Sequence, residues 1–340
     1  MKKKILVTGG CGYIGSHTVV ELIENNFEIV IIDDLSNSNK KTIDNIEQIT
    51  GVKPTFCQCD LKDINHVRNI LKYNKDIKAT IHFAAYKAVG ESVEKPLLYY
   101  QNNLISLINI LTAQLEVGNT NFIFSSSATV YGNPKTLPIT ENNKTQRPFS
   151  PYGNTKKMAE EILEDLSKAH KESNIISLRY FNPIGAHQSG LIGELPNGIP
   201  NNLMPYITQT AVGLRDKLSV YGNDYPTKDG TPIRDYIHVV DLAKAHVKAL
   251  KRQLDNKQEK NFEIFNLGTG NGYSVMEVIK TFEEVSKMKL NYEIVKRRDG
   301  DVPKLYANAT LAEEKLNWKA ESDLKEMIAS AWKWEQKVRT

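Results

Sequence analysis

Seven residues near the N-terminus, Gly9-Gly10-Cys11-Gly12-Tyr13-Ile14-Gly15, leave the fold little choice. They follow an apolar run, Lys4-Ile5-Leu6-Val7-Thr8, and precede a helical pattern over Ser16–Glu24, with Val19, Val20, Leu22 and Ile23 as its apolar positions. In this order Gly9 serves the tight turn, Gly12 lets backbone approach a pyrophosphate, and Gly15 permits close helix–strand contact. The helix start offers unpaired N–H groups and a positive dipole end to phosphates. A second apolar run, Glu28–Asp33, ends in a carboxylate 18 residues beyond Gly15. A carboxylate there suits the adenosine ribose hydroxyls and repels a 2′-phosphate. The pattern predicts NAD rather than NADP.

Further strands are expected at Thr55–Cys59, Ala79–Phe83, Phe122–Ser125 and Ile175–Arg179, with helices at Asn65–Lys72 and Leu98–Leu115 between them. Continuously apolar strands alternating with helices imply a parallel sheet covered on both faces. The right-handed crossover rule makes this a Rossmann-type, doubly wound α/β sheet. After Asn182 the character changes: Gly185, Gly190, Gly193, Pro196, Gly198 and Pro200 crowd into one loop. Shorter mixed elements follow, with helices near Pro205–Val212, Val240–Lys251 and Ser274–Glu284 and strands near Phe262–Leu267 and Asn291–Val295. A chain of 340 residues suits two domains. The expected division is 1–182 and 183–340, with segments near 234–242 and 262–267 able to pack back on the first. The polar tail Trp332–Thr340 is expected to fray.

Several function classes fall away. Lys+Arg 44 against Asp+Glu 40 gives +4, and the basic residues are scattered, so a nucleic-acid role is not expected. No apolar run reaches the ~18 residues of a membrane span. Three cysteines, Cys11, Cys57 and Cys59, make no disulfide framework or redox pair and read as structural thiols of a cytoplasmic protein. His238 and His246 lack a third ligand, so no metal is expected.

The strand Phe122–Ser125 runs into Ser125-Ser126-Ser127-Ala128-Thr129-Val130-Tyr131-Gly132. Ligands gather at the carboxyl ends of such strands. Next comes Tyr152-Gly153-Asn154-Thr155-Lys156, whose tyrosine and lysine share one helix face. A lysine beside a phenol is expected to lower the Tyr152 pKa, making a base for a hydroxyl proton while hydride leaves to a nicotinamide.

These segments, with His82–Ser92, resemble the extended short-chain dehydrogenase/reductase superfamily. Arg179–Ala186, Gly198–Pro205, Gly222–Thr227 and Arg234–Val239 narrow the resemblance to its UDP-glucose 4-epimerase family. The resemblance implies a tightly held NAD, a transient 4-keto sugar and a homodimer. Tyr152, Lys156 and Ser127 would be catalytic. Gly9, Gly12, Tyr13, Ile14, Gly15, Asp33, Asp34, Leu35, Ser36, Asn37, Ser38, Asp60, Leu61, Phe83, Ala84, Ala85, Lys87, Asn102, Ser125 and Phe181 would meet the cofactor, with Tyr152 and Lys156. Asn182, Asn202, Leu203, Tyr221, Arg234, Arg298, Asp301 and Leu305 would meet the UDP-sugar, with Ser127 and Tyr152. Arginine suits a diphosphate, being a planar and always charged donor.

Two positions depart from the family pattern. Ala85-Tyr86 replaces a common Gly-Leu. Leu305 stands where the stricter members carry Tyr, so the pocket can be wide enough for N-acetylated UDP-hexoses; a one-residue shift onto Tyr306 would undo this. The helices Leu98–Leu115 and Met158–Leu166 either build a bundle between subunits or cover their own sheet. The competing readings are another nucleotide-sugar enzyme (uronate epimerase, decarboxylase or dehydratase) and a non-catalytic NAD sensor. A dehydratase needs an acid pair at the Ser-rich strand end, where this chain has Ser127-Ala128-Thr129. A sensor would have lost Tyr152 or Lys156.

Overall fold

Within Lys4–Thr8 the successive residues Ile5, Leu6 and Val7 are apolar, and both faces of the strand are buried. Ile5 and Val7 enter one hydrophobic cluster and Leu6 the other. Ile29 and Ile31 on the next strand join the first cluster, while Val30 and Ile32 join the second. A strand buried on both faces needs helices above and below it.

The computed structural model describes residues 2–298 and 301–339. The first part of the chain forms β1 (Lys4–Thr8), α1 (Tyr13–Glu24), β2 (Glu28–Asp33), α2 (Lys41–Thr50), β3 (Thr55–Gln58), α3 (Ile64–Tyr73), β4 (Ile77–His82), α4 (Val89–Glu94), α5 (Pro96–Glu116), β5 (Asn121–Ser127), α6 (Pro151–Ala169) and β6 (Asn174–Tyr180). The remainder forms β7 (Asn182–Ile184), α7 (Leu203–Ala211), β8 (Leu218–Tyr221), β9 (Ile233–His238), α8 (Val239–Leu254), β10 (Phe262–Leu267), β11 (Gly272–Ser274), α9 (Val275–Ser286), β12 (Tyr292–Val295), β13 (Lys304–Leu305), α10 (Thr310–Leu316) and α11 (Leu324–Arg339).

Seven strands make one parallel sheet in the order β10-β6-β5-β4-β1-β2-β3. Helices α1 and α8 pack together on one face, and α3, α5 and α6 on the other. The chain winds outward from β1 in both directions, so the expected doubly wound sheet is what forms. Its order reverses between β1 and β4, which opens a crevice beyond their carboxyl ends. Strands β7, β9, β11 and β13 form a smaller mixed sheet, and β8 pairs with β12. A separate core lies here, built on Ile184, Met204, Ile207, Phe282, Met327 and Ile328.

The expected fraying of Trp332–Thr340 is corrected: Trp332–Arg339 is the last half of α11. Its polar residues have partners. Glu335 is buried and accepts from Thr208 Oγ1 at 3.0 Å. Trp334 Nε1 donates to the Glu194 carbonyl at 3.0 Å, and Lys333 Nζ to that of Gln188 at 2.6 Å.

Candidate active site

The glycine turn is shaped by close approach. Gly9 has φ +70°, and a Cβ there would lie 2.7 Å from the Ala84 nitrogen at the end of β4. A Cβ on Gly15 would fall 2.2 Å from the Gly9 carbonyl oxygen. Either substitution would push β1, α1 and β4 apart. No side chain caps the start of α1 at Gly12, which leaves its first-turn N–H groups to a ligand. At the end of β2, Asp33 accepts from Cys11 N at 2.9 Å, Leu35 N at 3.0 Å and Ser38 Oγ at 2.7 Å. Burial raises its pKa and those three bonds pull it back. Asp34 closes its own turn through Ser36 N at 2.9 Å, and Asn37 is exposed beside it. Beyond β3, Asp60 and Asn102 share Lys62, at 3.1 and 3.0 Å. The Leu61 side chain is buried in the core. An uncapped helix start, a glycine cradle and a buried carboxylate fit a dinucleotide.

The second cluster stands at the ends of β5 and β6. Ser150 caps α6, accepting from Gly153 N at 3.1 Å, and Pro151 occupies its first turn. That start places Tyr152 and Lys156 on the face toward β5. The Ser127 hydroxyl accepts from Thr129 N at 3.2 Å and favours the ionised form of the Tyr152 phenol. Lys156 Nζ donates to the Ser125 carbonyl at 2.6 Å and sits 4.8 Å from the Phe124 ring centre. The Ser125 hydroxyl pairs with that of Tyr180.

The expectation of a lowered Tyr152 pKa is corrected. Burial pushes it up to about 12, with the Ser127 hydroxyl pulling the other way. Lys156 shares the helix face, but its ammonium is engaged by β5. Burial brings Lys156 down to about 8, against the pull of Glu160.

On the other side of the crevice Arg234 NH2 meets Asp301 Oδ1 at 2.8 Å, and Arg298 Nε meets Asp301 Oδ2 at 3.1 Å. The Arg298 guanidinium lies 4.9 Å from the Tyr221 ring centre. Tyr221 is thus exposed under a cation rather than buried in the core. Leu305 pairs with Arg234 across β13 and β9, and packs in a cluster with Phe181. Tyr306 instead lies near Gly272. Asn182 is exposed at the start of β7, and Asn202 stands just before α7, where Leu203 is half-buried.

Three supports escaped the sequence. Glu160 accepts from Arg179 Nε at 2.9 Å and from Ser126 and Ser177 hydroxyls at 2.6 and 2.8 Å, which ties α6 to β5 and β6. Asn103 accepts from Tyr86 N at 2.8 Å and donates to Thr155 at 3.0 Å, which ties the loop after β4 to α6. Glu194 meets Lys87 at 2.6 Å and Asn202 at 2.7 Å. An acid four residues beyond Lys156 was a readable signal for the first. The other two span 52 and 107 residues and left no local trace.

Residues 6–331 match the family described as GDP-mannose 4,6 dehydratase. The UDP-glucose 4-epimerase of Pasteurella multocida is 51% identical over 333 residues, covering 98% of this chain and 97% of that protein. The crystal structure of UDP-glucose 4-epimerase from Stenotrophomonas maltophila, with bound NAD and formylated UDP-arabinopyranose, gives a TM-score of 0.95 at 46% identity over 99% of each chain. That from Bifidobacterium longum, in complex with NAD+ and UDP, gives 0.94 at 46% identity over 98% of each chain. The dehydratase label is the broader of the two descriptions, and Ser127-Ala128-Thr129 carries no acid for an elimination. Half the residues are shared with proteins of the other description along nearly their whole length, and the chain belongs to the UDP-glucose 4-epimerase family of the extended short-chain dehydrogenases/reductases.

Proposed function

We propose that this chain interconverts UDP-galactose and UDP-glucose through a transient 4-keto sugar. The single observation behind the mechanism is the Ser127–Tyr152–Lys156 group beside the glycine turn. Tyr152 accepts the proton of the sugar 4-hydroxyl and later returns it. Ser127, at the end of β5, holds the 4-oxygen beside the phenol. Lys156 holds the nicotinamide ribose hydroxyls and adds positive charge near the phenol. NAD, held by the glycine turn and Lys156, would supply the acceptor for the C4 hydride and the source of its return to the opposite face of the turned sugar. A Tyr152 phenol near 12 resists ionisation, so nearby positive charge is what the reaction needs from its surroundings.

Gly9, Gly12 and Gly15, with Asp33 and Lys87, hold the dinucleotide in the 1–182 unit. The 183–340 unit holds the UDP-sugar through Arg234, Arg298, Asp301 and Asn202. Leu305 bounds the sugar 2-position, and a residue shorter than Tyr there leaves room for an acetamido group. The protein acts as a cytoplasmic homodimer. Its three cysteines are free thiols, no helix among the described residues is long and apolar enough to cross a membrane, and α5 carries an exposed apolar face.

Chromatography of sugar nucleotides tests this. Purified protein without added NAD should convert UDP-galactose to UDP-glucose, and UDP-GalNAc in a second tube should also react. No conversion of UDP-galactose, even with NAD supplied, would sink the reading; failure of the second tube alone would sink only the wide pocket.

A further inference from the structure

We propose that Glu194 is a positioning residue that couples retention of the dinucleotide to capture of the UDP-sugar. This rests on the reading above, in which Lys87 serves the first ligand and Asn202 the second. Glu194 lies in the loop between β7 and α7 and is 8% exposed. Its Oε1 accepts from Lys87 Nζ at 2.6 Å and from Asn202 Nδ2 at 2.7 Å. One carboxylate oxygen therefore joins the loop after β4 to the start of α7, across the crevice. The start of α1 belongs to the same linkage. The Lys87 ammonium is 5.8 Å from the Tyr13 ring centre, and the Tyr13 hydroxyl donates to the Gly185 carbonyl at 2.6 Å.

The loop cannot follow one partner freely. Trp334 Nε1 holds the Glu194 carbonyl at 3.0 Å, and a Cβ on Gly193 would lie 2.4 Å from the Trp334 ring. A buried carboxylate left without its cation is strongly unfavourable. Lys87 cannot swing away without isolating Glu194, and Asn202 is held through the same atom. A ligand that orders one of these donors favours the placement of the other, and such coupling is reciprocal.

Loss of NAD from the purified holoenzyme, followed by desalting at intervals with and without UDP, reads the coupling directly. In the wild type UDP should slow the loss roughly five-fold or more, the lower end of ordinary coupling between sites. Glu194→Gln keeps the shape and an oxygen for Asn202 but removes the charge. It should bring that factor close to one, with KM for UDP-galactose raised more than kcat is lowered. Lys87→Met should do the same, and combining the two should add little. An equal factor in wild type and Glu194→Gln, or no effect of UDP in the wild type, overturns the proposal. A wild type that holds no NAD and converts no UDP-galactose instead overturns the functional reading beneath it.

Discussion

Tyr152 carries the greatest demand on any single residue, because its phenol is raised to about 12 and must still accept a proton near neutrality. Tyr152→Phe removes the proton acceptor and leaves the ring. Turnover should fall about 10²–10⁴-fold, the range of general acid–base catalysis. Steady-state kinetics check this, and near-normal kcat would remove Tyr152 as the base. Leu305 tests specificity at the same scale. It packs against the cluster that contains Phe181, while Tyr306 lies by Gly272, so of the two Leu305 is the one on the Phe181 side. Leu305→Tyr should suppress turnover of UDP-GlcNAc and spare UDP-glucose; equal loss of both would show that another residue limits the pocket. The tyrosine and lysine were legible in sequence as an i, i+4 pair. The direction of the phenol's shift was not, because it depends on how deeply the fold buries the phenol.

At the scale of elements, β1 and β2 were legible because nearly every residue is buried, on both faces, and their interiors are apolar. The short strands β7, β9, β11 and β13 were not, since three of the four have exposed residues or only two or three positions. The last half of α11 was misjudged from its polar composition; its anchors are Glu194, Thr208 and Gln188, over 100 residues away. Helix α5 had two possible uses, and its inner face serves one of them. Leu107, Ile110 and Leu111 cover the sheet, whereas Leu97 and Ile108 stay 80% and 46% exposed. Leu98 and Ile105 extend that outer stripe, which suits the proposed subunit interface. Ile108→Lys sets a charge in the stripe without touching the core. It should shift the protein from dimer to monomer in sedimentation while secondary structure persists. An unchanged dimer would place the interface elsewhere.

For the molecule as a whole, the consequence of burying so much of the crevice wall is sensitivity to acid. His17, His82 and His246 are fully buried, and burial lowers them from 6.5 to about 3, 3 and 4. Nδ1 of His17 faces the Tyr13 carbonyl at 2.7 Å and that of His246 the Leu242 carbonyl at 2.8 Å, so both carry their proton there. Their Nε2 atoms are buried with no partner, and a second proton would have nothing to meet. Lys156 further opposes charge on His82, as His187 and His238 do on His17. Below 6.5 the unfolded chain takes up protons that the folded chain refuses. Stability is therefore present above 6.5 and is lost as pH falls toward 4. Each such histidine contributes a slope of up to about 1.4 kcal/mol per pH unit. Glu21, raised to about 7 by burial, works in the opposite direction, so the total curve is not diagnostic. A single substitution is. His246 lies between the Phe83 and Tyr180 rings, at 4.7 and 6.2 Å, and Phe can replace its ring there. His246→Phe should flatten the fall in unfolding free energy between pH 6.5 and 5 by about 1 kcal/mol per unit, measured from urea titrations. Parallel curves for the two proteins would mean that His246 accepts its proton in the folded state.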